Sequence, residues 1–452
     1  MHQFDLIIRG GRVLTPQGER VFDIAVREER IAELSPAIAA AAVDEISASG
    51  MHVFPGLMDA HVHFNEPGRT EWEGFASGSA ALAAGGGTFF IDMPLNASPP
   101  TLDARSFDAK KAAAEASSLT DFALWGGLTP DNLDHLEELA ERGVVGFKAF
   151  MCDSGMADFP RADDLTLRRG MRLARRVGLP VAVHAESQEI TSRLAAEIAS
   201  RNERGWADFL ASRPVRAETE AIARAVSIAR ETACSLHIVH VSSSAGVEIV
   251  RRAREESKQD VTCETCPHYL LLNEADLMLL GAKAKCAPPL RSKEENARLW
   301  ELIGQDAIEF VASDHSPAPP SMKSGGDAMK IWGGVAGVQS TLLSMLGREG
   351  LPPTRVAGLV AERVARRFRL NRKGRIAVGC DADLTLVDLA GSTTLNSADL
   401  LDRHKFSPYA GRTFRGVIRR TIARGSTIFR DRRIYAGKKA RLISPSREDD
   451  HD

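Results

Sequence analysis

Short apolar runs and helix-period segments alternate through the middle of this chain, and that alternation constrains its fold more than any other feature. The strand-like runs are Val53–Asp59, Thr88–Asp92, Phe122–Trp125, Val145–Lys148, Val181–His184, Leu236–His240, Val261–Glu264 and Ile308–Asp314. Between them lie segments with helical spacing of apolar residues, including Asp131–Glu141, Leu165–Val177, Glu218–Thr232, Gly246–Ser257 and Lys293–Leu302. Parallel neighbours need a crossover connection, usually a helix, so this order predicts a parallel sheet. About eight such units predict an α/β protein built on a (β/α)8 barrel of the TIM type.

The two ends read differently. Runs such as Asp5-Leu6-Ile7-Ile8-Arg9 and Arg30-Ile31-Ala32-Glu33-Leu34 alternate apolar and polar residues, with Gly10-Gly11 and Gln17-Gly18 as punctuation. The same texture returns in Ala382-Asp383-Leu384-Thr385-Leu386-Val387 and Gly416-Val417-Ile418-Arg419. Period-two alternation between turn residues predicts hairpin strands. We therefore expect residues 1–54 and 375–442 to form one small β-sandwich domain around a barrel domain of residues 55–374. The polar stretch 443–452 is expected to be a disordered tail.

Composition narrows the function classes. The 452 residues carry 58 basic and 60 acidic side chains, a formal charge of −2, which offers nothing to a nucleic acid or an anionic membrane. Six cysteines are too few for a disulfide scaffold in a chain of this length, and predict reduced thiols in the cytoplasm. Met1–Gly10 has no apolar h-region. Gly74–Ile91 carries no charge but is rich in Gly, Ser and Ala, and reads as a small-residue helix, a turn and a strand.

In a barrel of this type the chemistry sits at the C-terminal ends of the strands. The predicted strands end in Asp59-Ala60-His61-Val62-His63, Gly146-Phe147-Lys148, Val183-His184, Val239-His240 and Ser313-Asp314. His61 and His63, two apart, point to one face if the strand continues through them. Any one of these histidines alone reads as a packing residue. Together at strand ends they point to a metal site. Lys148 is the odd member, since an ammonium is a poor ligand. Carboxylation of its neutral amine by CO₂ turns a cation into an anion with two oxygens.

These residues resemble the cyclic-amide hydrolases of the amidohydrolase superfamily. The resemblance covers nearly the whole chain. It implies a binuclear centre in which His61, His63 and Asp314 hold one divalent ion, and His184 and His240 the other. Carboxylated Lys148 would bridge the two. Zn²⁺ is the expected metal, with Co²⁺, Mn²⁺ or Fe²⁺ also accepted by such ligands. The resemblance also implies that Asp314 is catalytic, as a proton shuttle, and that the protein is a homo-oligomer, a dimer or tetramer.

Local motifs bear on the substrate. Dihydroorotases carry an arginine two residues after the His-x-His pair, to clamp a carboxylate. Here that position is Asn65, which cannot replace a guanidinium. Resemblance to allantoinases lies in His63-Phe64-Asn65-Glu66-Pro67-Gly68-Arg69, Asp92-Met93-Pro94-Leu95-Asn96, Ser313-Asp314-His315-Ser316-Pro317, Trp332-Gly333-Gly334 and Lys405-Phe406-Ser407-Pro408-Tyr409. It implies hydrolysis of allantoin to allantoate. Ala287 and Gly333 fall where related enzymes line the pocket. Asn96 and Ser316 carry side chains able to bond amides. A hydantoinase, dihydropyrimidinase or dihydroorotase is the nearest alternative; a non-catalytic scaffold is the remote one.

Two features are set aside. Cys263-Glu264-Thr265-Cys266 lacks the second pair a zinc ribbon needs, and is read as strand-end packing. His237, an odd number of residues from His240, is expected on the opposite strand face as a packing or helix-facing histidine.

Overall fold

The computed structural model describes residues 3–201 and 204–446. Among these residues both ends of the chain meet in one nine-stranded sheet. Phe4–Thr15 is its hub, pairing antiparallel with Gly18–Arg27 and parallel with Ala42–Ser47 and His52–Pro55. His52–Pro55 then pairs antiparallel with Leu384–Thr394, which joins the N-terminal strands to the C-terminal ones. The hairpin reading of the termini is thus matched by a single continuous sheet.

The middle of the chain holds two parallel sheets. Leu57–Val62, Gly87–Asp92 and Asp121–Leu124 form one. Gly126–Gly127, Phe147–Phe150, Val181–His184, Leu236–Ile238, Val261–Thr265 and Phe310–Val311 form the other. Helices between them follow the predicted order, and their sequences explain their ends. In Asp164–Arg176 the Asp163 side chain accepts from the Thr166 N–H, and Arg175 and Arg176 occupy the last turn. Its buried face is Leu167, Gly170, Met171 and Ala174, the spacing of one helical stripe. No helix among the described residues is long and apolar enough to cross a membrane.

Three expectations need correction. Val53–Asp59 is not one strand: His52–Pro55 belongs to the terminal sheet and Leu57–Val62 to a parallel one. The break falls at Gly56, where an added Cβ would sit 2.1 Å from the Thr88 hydroxyl. Ile308–Asp314 pairs as a strand only over Phe310–Val311. The tail does not begin at 443: the Ile443 N–H donates to the Phe122 carbonyl at 2.8 Å and the Ser446 N–H to that of Arg369 at 2.9 Å. The rest of it, 447–452, lies outside the described residues.

Parallel register places the polar side chains. Lys148 stands beside Ala182, which stands beside His237, which stands beside Thr262; two residues on, Phe150 stands beside His184. The alternate positions Phe147, Val181, Val183, Leu236 and Ile238 fill the main hydrophobic cluster. A parallel strand is buried on both faces, so a polar residue in it is a departure from the apolar pattern.

Candidate metal centre

Four imidazoles gather where these strands end. Ring centroids stand 5.3 Å apart for His61 and His63, 5.4 Å for His61 and His240, and 4.7 Å for His184 and His240. Asp314 completes the group, its Oδ1 lying 3.2 Å from His61 Nε2 and 3.4 Å from His63 Nε2. His184 Nδ1 lies 3.0 Å from His240 Nε2. His240 and Asp314 follow their strands in the left-handed region, at φ +40° and +46°, where a side chain is turned out of the pleat.

Those separations fit metal ligands. Nitrogen and oxygen atoms bound to one tetrahedral ion at about 2.0–2.1 Å stand about 3.3 Å apart. Asp314 meets that spacing with both His61 and His63, the three potential ligand atoms lying within 4.8 Å of one another, and His184 with His240 comes near it. Two of the ring nitrogens facing away are held by acids. His61 Nδ1 is 2.6 Å from Glu264 Oε1, and His184 Nε2 is 2.8 Å from Glu186 Oε2. Each acid accepts the N–H of its imidazole, which leaves the other nitrogen's lone pair directed into the site. Burial lowers the pKa of His63, His184 and His240, favouring the neutral rings that bind metals. Burial pushes the Asp314 carboxyl up, but the imidazoles of His61, His63 and His240 outweigh it and hold it well below the usual range.

Lys148 is fully buried and its Nζ has no hydrogen-bond partner among the described residues. A lone buried ammonium is costly. Burial accordingly lowers its pKa to about 8, against the pull of Glu264 and Asp314. A neutral amine with an unfilled bonding capacity suits carboxylation, and the product would be an anion among metal-binding groups.

A cavity of about 490 Å³ opens onto the group, lined by all four histidines and Asp314. Asn96, Ala287, Ser316 and Gly333 also line it. Asn96 does so with its amide 3.4 Å from His63 Nδ1, so it also abuts a candidate ligand. Asn65 is not among the lining residues; it is buried, and its amide N–H points to the Pro317 carbonyl at 3.5 Å.

Sequence reasoning missed Glu264; of its two readings of His237, packing holds and helix-facing does not. Glu264 sat inside the dismissed Cys263–Cys266 run. Its second oxygen accepts from His237 Nε2 at 3.1 Å, and His237 stacks on Phe310. His237 therefore belongs to the network behind His61 and is not helix-facing. The strand ends at Ile238, so period-two alternation does not reach His240. Burial raises the Glu264 carboxyl, but His61 and His237 bring it down to about 2. An acid in a fully buried strand was the available signal.

A second cluster, Cys152, His184 and Glu186, has potential ligand atoms within 4.8 Å of one another. It does not read as a metal site. Burial pushes the Cys152 thiol up to about 12, and the Arg213 guanidinium already pairs with Glu186.

The amidohydrolase family model matches residues 52–428. The chain belongs to the amidohydrolase family. Among its relatives this amidohydrolase is 54% identical to an allantoinase of Rubrobacter xylanophilus over 99% of both chains. It is 49% identical to an allantoinase of Deinococcus radiodurans over 98% of this chain and 99% of the relative. Among solved structures, an L-hydantoinase (dihydropyrimidinase) from Arthrobacter aurescens superposes with a TM-score of 0.95 at 33% identity, covering 98% of this chain and all of the other.

Proposed function

We propose that this amidohydrolase opens the hydantoin ring of allantoin to give allantoate. The observation that carries the chemistry is the convergence of His61, His63 and Asp314 with His184 and His240 near a buried Lys148 whose Nζ has no hydrogen-bond partner among the described residues. The substrate rests on the near full-length likeness to allantoinases. His61, His63 and Asp314, and His184 with His240, would hold two divalent ions, zinc first, with carboxylated Lys148 as a further ligand; bound there, the metal would lower the pKa of a water toward neutrality and polarise the ring carbonyl.

The chain's own residues do the rest. Glu264 and Glu186 fix the tautomers of His61 and His184. Asp314, ionised and facing the cavity, takes the proton of the attacking water and returns it to the ring nitrogen as the C–N bond breaks. Asn96 and Ser316 offer side-chain polar groups to the substrate amides, and Ala287 and Gly333 offer backbone ones.

We also read the two parallel sheets as one closed (β/α)8 barrel. Support comes from Gly126–Gly127, which continues one sheet's last strand into the other, and from the parallel bridge between Val62 and His315. Residues 1–54 and 375–442 would then form the β-sandwich domain and 55–374 the barrel. All six cysteines are free and buried, which favours a cytoplasmic setting. A dimer or tetramer is the assembly we propose.

The structural likeness to a hydantoinase favours a second reading, a hydantoin or dihydropyrimidine substrate. Hydrolysis of allantoin beside hydantoin, dihydrouracil and dihydroorotate, with divalent metal and bicarbonate supplied, separates the two. We expect kcat/KM for allantoin to exceed the others by about a hundredfold or more. Equal or better turnover of another ring would overturn the substrate assignment and leave the metal chemistry standing.

A further inference from the structure

One wall of the cavity is a loop, residues 325–334, that lacks helix or strand. It supplies Met329, Lys330, Ile331, Trp332, Gly333 and Gly334 to the lining. Such a loop has no ladder to satisfy its backbone, so its carbonyls need other partners. Two buried lysines provide them. Lys285 donates to the Met329 carbonyl at 3.3 Å and, more closely, to that of Ile331. Lys323 donates to the carbonyls of Trp332 at 3.1 Å and Gly334 at 2.6 Å. The attachment is reciprocal, for the Gly334 N–H donates to the Lys285 carbonyl at 2.7 Å and the Trp332 N–H to that of Met322 at 3.0 Å.

Neither ammonium has a carboxylate partner within ion-pair distance among the described residues, although both side chains are buried. Burying a cation without a counter-ion is costly, and an apolar side chain would fill either position without that cost. What an apolar residue cannot do is hold carbonyls. Here four carbonyls of one six-residue stretch, 329–334, are held by two ammoniums, and Lys285 itself lines the cavity beside that stretch.

We propose that Lys285 and Lys323 are positioning residues that pin the loop 329–334 as a wall of the cavity, and that the pinned wall sets the affinity for the ring substrate. The assignment rests on the reading above that this cavity receives the ring. Neither lysine is among the candidate metal ligands, so the effect falls on binding; Lys285 also lines the cavity whereas Lys323 does not, so Lys323→Met is the variant that separates the wall from direct contact with the ring. Burial lowers Lys285 to about 8 and Lys323 to about 7, so the pins weaken as the amines become neutral. The groups facing Lys285 are Arg213, Asp327, Cys286 and the Phe209 ring, and those facing Lys323 are Lys285 and Cys286.

The test compares the metal-loaded enzyme with Lys323→Met, Lys285→Met and Lys323→Arg. In both methionine variants we expect KM to rise about tenfold with kcat and bound metal within about twofold, while Lys323→Arg, which keeps a cation, stays nearer the parent. Amide hydrogen exchange across 325–334 should quicken about tenfold in the same two variants. Unchanged KM and unchanged exchange would overturn the proposal; so would a fall in kcat and metal content with KM unaltered. If the methionine variants do not fold, the unaltered enzyme still decides. Its loop protection, corrected for intrinsic rates, should fall between pH 6 and pH 9, and constant protection refutes the pinning. Exchange needs no substrate, and KM is measured on whichever ring the enzyme opens best. A wrong substrate assignment therefore shows in the parent enzyme alone, apart from the fate of the pins.

Discussion

Lys148→Ala is expected to lose about a thousandfold or more in kcat/KM, equivalent to about 4 kcal/mol of transition-state stabilisation. The side chain is fully buried with no hydrogen-bond partner for its Nζ among the described residues, and its neutral form is within reach near neutral pH. Its removal takes away the proposed anion between two ligand sets, so bound metal should fall with activity. The truncation also leaves a cavity. A small carboxylic acid such as propionate can enter it and supply the two oxygens that the carbamate would have given. Partial recovery of activity with propionate, and none with propionamide, is the expected pattern. Full activity in Lys148→Ala, with metal retained, would show that the lysine holds no bridging group.

Lys373→Met is expected to destabilise the fold by about 3–5 kcal/mol without touching the site. The Lys373 ammonium is buried and lies 2.8 Å from Asp121, 2.9 Å from Asp381 and 2.8 Å from Asp383. Asp121 belongs to a parallel strand of the middle region, whereas Asp381 and Asp383 lead into a strand of the terminal sheet. The lysine therefore staples the two regions together. Burial works against its charge, but the aspartates hold its pKa well above the ordinary lysine value. That contribution is present below the ordinary lysine pKa and lost only in strong alkali. In the variant three carboxylates remain, with buried Arg424, 3.1 Å from Asp121, and exposed Arg372, 3.9 Å from Asp381, as the counter-charges to them among the described residues. They are relieved by protonation, so the gap to the parent should narrow as pH falls from 7 toward 5. A thermal midpoint lowered by about 5 °C or more at pH 7 is expected, and a change under about 1 °C would contradict the staple.

The legible parts of this molecule were those that repeat. Strand and helix alternation located the parallel strands, because each βα unit carries its own apolar period. Strand ends then singled out His61, His63, Lys148, His184, His240 and Asp314 as candidates, and topology brings the four histidines and Asp314 to one cavity. The missed features depend on contacts without periodicity. Gly56 divides two strands that are both apolar, so the run Val53–Asp59 showed no seam. Its glycine was the only mark, and its reason is the close Thr88 side chain. His240 and Asp314 leave their strands at positive φ, so strand alternation could not say how His237 relates to His240. Lys285 lies 44 and 46 positions from the carbonyls it holds, and nothing in either segment's local pattern predicts that meeting. Glu264 was visible as an acid in a buried strand but was read as part of a cysteine pair.

The most direct test of the central claim is a metal titration. The enzyme is stripped with a chelator and then reloaded with Zn²⁺ in the presence of bicarbonate, while bound ions and allantoin hydrolysis are followed together. The geometry of the two ligand sets predicts activity that rises with occupancy and levels off at two ions per chain. A plateau at one ion, or full activity in the stripped enzyme, would contradict the binuclear site.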